Sequence, residues 1–94
     1  MVGYKELKNL QGRIVLITGA SSGMGEQIAY QAAKKGAIVI GCARRIEKLE
    51  EVVATCRRIS GNDAYAFQVD VSIQNQKERV VDKVEYRIGP IDVM

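Results

Sequence analysis

Histidine is absent from this 94-residue chain, and cysteine occurs only twice. With Cys42 and Cys56 as the only soft ligands, a zinc site lacks a plausible donor set, and two cysteines make an unconvincing secreted disulfide scaffold. Both cysteines are expected to be reduced and buried, and no metal is expected. Aromatic residues are scarce at 5%, too few to stack on successive bases. The basic residues Lys34, Lys35, Arg57 and Arg58 fall on different expected helices, so no nucleic-acid partner is expected. Long apolar runs are also missing. The oiliest stretches, "RIVLIT" and "AIVIGCA", fall far short of a membrane span, and the opening "MVGYKELKNL" is charged and unlike a signal peptide. The expectation is a cytoplasmic chain with no membrane partner. The net charge is +3, a surplus that suits phosphates weakly and mostly serves solubility.

What is present is a repeating pattern. Residues 13–18 form an unbroken apolar run of the kind found in a parallel strand covered on both faces. From Met24 the positions Met24, Ile28, Ala29 and Ala32 recur at helical spacing; Lys34 and Lys35 suit the helix C-terminus, and Gly36 suits a left-handed cap. A second strand is expected over 37–42, followed by a helix whose buried face holds Leu49, Val52, Val53, Cys56 and Ile59 before Gly61. A third strand over 64–69 turns Tyr65, Phe67 and Val69 to one side. Ser72 then caps a third helix lined by Ile73, Val80, Val81, Val84 and Ile88, and Gly89 with Pro90 stops it. "IDVM" opens a fourth strand. This alternation, with no linker or domain boundary, predicts an α/β fold. It is half of a doubly wound parallel sheet with right-handed crossovers, and its ligand lies beyond the carboxyl ends of the strands.

The stretch "LITGASSGMGEQ" occupies that place. Gly19, Gly23 and Gly25 lie in a turn that opens directly into the first helix. Unpaired amides and the positive end of the helix dipole attract a pyrophosphate there, and glycines remove Cβ atoms that would hold the anion away. The general G-x-G-x-x-G pattern is not met, because Ile28 stands in place of its third glycine, and no Gly-Lys-Ser/Thr follows to make a Walker loop.

"TGASSGMG" at 18–25 resembles the T-G-x-x-x-G-x-G turn of the short-chain dehydrogenases/reductases. "LQGRIVLITGASSGMG", "GAIVIGCARR" and "FQVDVS" are similar to successive landmarks of that family across the whole chain. The resemblance implies a Rossmann-type segment over residues 1–94, about three and a half βα units in strand order 3-2-1-4, that holds a nicotinamide dinucleotide. By that resemblance the turn residues Gly19, Ser21, Ser22, Gly23, Met24 and Gly25 hold the pyrophosphate. Met24 stands where the family usually has isoleucine. Asp70 matches the acid that accepts from the adenine amino group, with the Val71 backbone beside it.

The second strand ends in "CARR". Ala43 stands where an NAD-specific site carries its acid, and Arg44 offers a guanidinium fork to a 2′-phosphate, so NADP(H) is expected over NAD(H). Arg45 adjoins it, and Ser21 and Ser22 add hydroxyls. Glu47 lies too far into the helix to replace the missing acid.

The chemistry the resemblance implies is hydride transfer between the nicotinamide and an alcohol or carbonyl, with a tyrosine acid/base followed four positions later by lysine. Two such pairs occur, Tyr30 with Lys34 and Tyr4 with Lys8, and neither is assigned a catalytic role. Tyr30 lies about 200° around its helix from Ile28, away from the stripe expected to face the sheet. Tyr4 precedes the first strand in a solvated leader. No catalytic residue is therefore expected in this chain, which resembles about the first third of the family's fold and is expected to be inactive alone. Two readings stay open: the cofactor-binding part of an NADP-dependent oxidoreductase, and a nucleotide-binding module without catalysis. An incomplete sheet edge beside the first strand is expected to drive self-association.

Overall fold

The computed structural model describes residues 10–70 and 73–92. Its elements alternate as β1 (Ile14–Thr18), α1 (Gly23–Lys34), β2 (Ile38–Ala43), α2 (Ile46–Ser60), β3 (Ala64–Gln68) and α3 (Gln74–Arg87). The strands form one parallel sheet in the order β1-β2-β3, with Leu16 opposite Ile40 and Ile40 opposite Tyr65. A parallel neighbour is reached only by a crossover, and a helix supplies each one.

Alternation along the strands sends side chains to two separate cores. On one face Val15, Ile17, Val39 and Ala64 pack with Ala29, Ala32 and Ala33 of α1 and with Leu49, Val52, Val53 and Cys56 of α2. On the other, Ile14, Leu16, Ile40 and Cys42 meet Val80 and Val84 of α3, with Tyr65 and Phe67 partly buried beside them. The sheet is thus covered on both faces, as the apolar strand runs predict. The first helix ends in a Schellman arrangement: the Ala37 amide donates to the Ala32 carbonyl and the Gly36 amide to Ala33, with Gly36 at φ 90°.

Of the α1 positions expected to face the sheet, Ala29 and Ala32 do so, while Met24 and Ile28 do not. Alanines, not the larger apolar residues, meet the strands, and this lets the helix lie close to them; Met24 is 79% exposed and Ile28 50%. Ile59 and Ile73 are also exposed, against the expectation of buried positions; Ile59 stands in the last turn of α2 and Ile73 at the N-cap of α3. The expected cap Ser72 lies outside the described residues. The expected fourth strand does not form among the described residues, whose sheet has three strands; near its expected start the Asp92 amide donates to the Ile14 carbonyl at 2.9 Å, and the Asp92 carboxylate accepts from the Ile14 amide at 2.9 Å. Val93 and Met94 lie outside the described residues.

Candidate dinucleotide site

At the carboxyl ends of the strands lies a cleft of about 510 Å³. Gly19, Ser21 and Ser22, which follow β1, line it together with Arg44 and Arg45, which follow the central strand β2. Val69 and Asp70 join them, and Cys42 and Ala43 complete the lining. Backbone hydrogen bonds lock these segments to one another. The Ala20 amide donates to the Cys42 carbonyl at 3.1 Å, and the Val69 amide to the Ala43 carbonyl at 2.9 Å. The Gln68 amide side chain holds the Arg44 carbonyl at 3.1 Å, so the arginine corner is braced from β3.

The glycine turn is tight. Gly19 has φ 66°, and its carbonyl accepts both the Ser22 amide at 3.0 Å and the Ser22 hydroxyl at 2.7 Å. The Ser22 hydroxyl thus closes the turn on the Gly19 carbonyl, and both Ser21 and Ser22 line the cleft. The glycines also divide their work. A Cβ on Gly25 would collide with the carbonyl of Gly19, so this glycine is required by the turn itself, whereas a Cβ on Gly23 would meet nothing within 4 Å. Space for a ligand is thus kept at Gly23 and not at Gly25. By position, the amides of the first turn of α1 have no acceptor within the helix.

Among the expected cofactor residues, Gly19, Ser21, Ser22, Arg44, Arg45 and Asp70 come together in the cleft. Gly23 and Gly25 stand at the mouth of α1 without lining it, and Val71 lies outside the described residues. Met24 does not reach it: its side chain lines a separate apolar groove with Leu10, Val15 and Ile28, on the flank of α1. Sequence reasoning missed Cys42, Val69 and Gln68. The strand period would have flagged the first two, since both lie at strand ends on the side of Phe67. A neighbouring hollow at Arg44, Gln68, Asp70 and Gln76 extends the cleft, and the Asp70 amide donates to the Gln76 side chain at 3.0 Å.

Burial pushes both thiols up, to about 11 for Cys42 and about 11 for Cys56, so Cys42 enters the cleft wall as a neutral group. No tyrosine among the described residues lines the cleft. Tyr30 packs against the α1–α2 core, contrary to the outward direction expected for it, and its phenol donates to the Glu26 carboxylate at 2.7 Å. Desolvation raises its pKa first, and the Glu26 bond raises it further, the opposite of what an acid/base tyrosine needs. Among the described residues no group of three or more metal-ligating side chains gathers, and no helix is long and apolar enough to cross a membrane.

The sequence profile of the family described as short chain dehydrogenase matches residues 13–94. The Arabidopsis thaliana "11-beta-hydroxysteroid dehydrogenase-like 4A" is 38% identical over 90 residues, a stretch covering 96% of this chain and 30% of that protein. Among solved structures, the L-sorbose reductase of Gluconobacter frateurii complexed with NADPH and L-sorbose superposes with a TM-score of 0.84 at 31% identity, over 92% of this chain and 33% of that one. An NAD+-bound xylitol dehydrogenase superposes at 0.85 with 29% identity, over 92% of this chain and 33% of its own. The chain thus spans about a third of the length of these proteins.

Proposed function

The chain belongs to the short-chain dehydrogenase family, and from that premise we propose that it is the NADP(H)-binding portion of an oxidoreductase acting on an alcohol or carbonyl. The observation that carries the reading is the convergence of Arg44 and Arg45 with Gly19 and Ser21 on one cleft, with Ala43 at the strand end where an NAD-selecting acid would stand. The residues fit a dinucleotide. The first-turn amides of α1 and the open space at Gly23 suit the pyrophosphate, the Arg44 guanidinium suits a 2′-phosphate, and Asp70 suits an amino group at the adenine end. When bound, the nicotinamide supplies the hydride donor or acceptor.

Similar proteins named for L-sorbose reduction and xylitol dehydrogenation handle polyhydroxylated substrates, and another is named for a hydroxysteroid. These names span sugars and sterols and support only the shared alcohol/carbonyl chemistry. Tyr30, Tyr65 and Tyr86 stand away from the cleft, so the acid/base group belongs to residues other than these. For the 94-residue chain alone, no turnover is expected. We also propose that copies associate beside β1, one of the two outer strands among the described residues, where Met24 and Ile28 of the neighbouring helix expose apolar surface. Light scattering that gives a mass of 10.4 kDa at high concentration would exclude this.

Calorimetric titration with NADPH and NADH tests the cofactor reading. NADPH is expected to bind at least about 10-fold more tightly, and Arg44→Asp is expected to reverse the order. Equal NADPH affinity in that variant removes Arg44 from the assignment.

A further inference from the structure

The glycine turn and the arginine corner start two different helices. Ser22 stands at the N-cap of α1 and Arg45 at the N-cap of α2, so the spacing of the glycine turn and the arginine corner depends on the two helix starts as well as on the strand-end hydrogen bonds between them. One side-chain cluster joins those starts. Glu26, in the first turn of α1, sends its amide to the Ser22 carbonyl at 2.7 Å. Its Oε2 accepts the Tyr30 hydroxyl at 2.7 Å and pairs with Lys48 Nζ at 3.2 Å, and Lys48 lies in the first turn of α2. None of these three side chains lines the cleft.

An ion pair between two mobile side chains on the surface contributes little. This pair differs in its footing. The Glu26 side chain is 20% exposed while Lys48 is 46% exposed, and the partly buried Tyr30 ring that holds the carboxylate packs against the core of α1 and α2. The phenol bond first, and Lys48 second, hold the Glu26 carboxyl below its ordinary range, so the carboxylate is charged wherever the fold persists near neutrality.

We propose that Tyr30, Glu26 and Lys48 form a positioning clamp that sets the distance between the glycine turn and the Arg44–Arg45 corner, and so favours a dinucleotide with phosphates at both places over one with phosphate at the turn alone. The inference rests on the cofactor reading above. Its physical basis is effective concentration. A ligand held at two points gains from both only when their separation matches its own, and loosening either support forfeits the second contact more than the first.

The test uses the full chain, with NADPH and NADH titrated separately by calorimetry. Lys48→Met and Glu26→Gln are each expected to weaken NADPH binding on the order of 5-fold while NADH changes less than about 2-fold, and Lys48→Arg is expected to restore the unsubstituted ratio. Tyr30→Phe keeps the ring in the core and removes only the phenol bond; it is expected to move the ratio the same way by a smaller factor, and it serves if either charge variant fails to fold. Three outcomes overturn the clamp. The ratio stays put in folded variants; or NADPH and NADH weaken equally; or Glu26→Gln tightens NADPH while Lys48→Met loosens it, the signature of simple charge balance. The cofactor reading fails separately, when the unsubstituted chain shows no NADPH preference or Arg44→Asp leaves one intact.

Discussion

Gly23 and Gly25 look interchangeable in the sequence, two glycines of one phosphate-type turn, yet the structure gives them different tasks. Gly25→Ala would force a methyl group against the Gly19 carbonyl, a backbone atom that cannot swing aside. Thermal unfolding is expected to show a loss of about 1–3 kcal/mol or outright failure to fold. Gly23→Ala meets open space at the first residue of α1, so its melting temperature is expected to hold or rise slightly while NADPH affinity falls on the order of 10-fold. A Gly23→Ala protein with unchanged affinity would show that the ligand does not approach there. The thiols are a second residue-scale case. Cys42 and Cys56 are almost wholly buried and pushed up to about 11, so alkylation at pH 8 is expected to be slow in the folded chain and fast in denaturant.

Among the elements, α2 shows how a side chain that reads as surface charge becomes part of the framework. Arg57 donates through Nε at 3.0 Å and Nη2 at 2.7 Å to one acceptor, the Ala64 carbonyl at the start of β3. It thereby fastens the end of the helix to the strand that follows. Arg58, one position on, donates to the Thr55 hydroxyl at 3.1 Å on its own helix. Arg57→Met is expected to cost about 1 kcal/mol, seen as a drop of roughly 4–8 °C in melting temperature, while Arg58→Met should be near neutral. Equal effects would mean that the fork to Ala64 contributes nothing.

Across the whole molecule, charge and burial shape the pH range of stability. The folded state holds the Glu26 carboxyl below its ordinary value, through Tyr30 and then Lys48. Such a group adds stability that is present above the unfolded pKa, near 4.3, and is lost as pH falls through the folded value. The thiols and Tyr30 shift the other way, raised chiefly by desolvation. Their contribution is complete below their unfolded values and is lost as pH rises through the folded ones, from about 9 toward about 11 for the cysteines. Melting temperature against pH is therefore expected to be flat from about 6 to 8 and to fall on both sides. Glu26→Gln should shallow the acid limb, with a smaller change on the alkaline side through Tyr30. An acid limb identical in that variant would deny the carboxylate its role.

Much of this was readable from residue order. Unbroken apolar runs at 13–18 and 37–42 specify strands buried on both sides, helical spacing between them specifies crossovers, and the glycine turn marks the mouth of the first helix. Together these fix a parallel sheet and the end of it where a ligand belongs, because they depend only on local periodicity and on the absence of Cβ atoms. Direction around a helix was another matter. Met24 and Ile28 are the largest apolar residues on α1 and read as its inner face, but close approach to the strands favours alanine, and the large residues turn outward. The inward packing of Tyr30, the closing of the Ser22 hydroxyl on Gly19 and the link from Glu26 to Lys48 all join groups whose neighbours are chosen by how helices settle on the sheet. Sequence supplied the periods and the turn; the packing of α1 against α2 decided which side chains meet, since contact distances between separate elements are set only when the sheet brings them together.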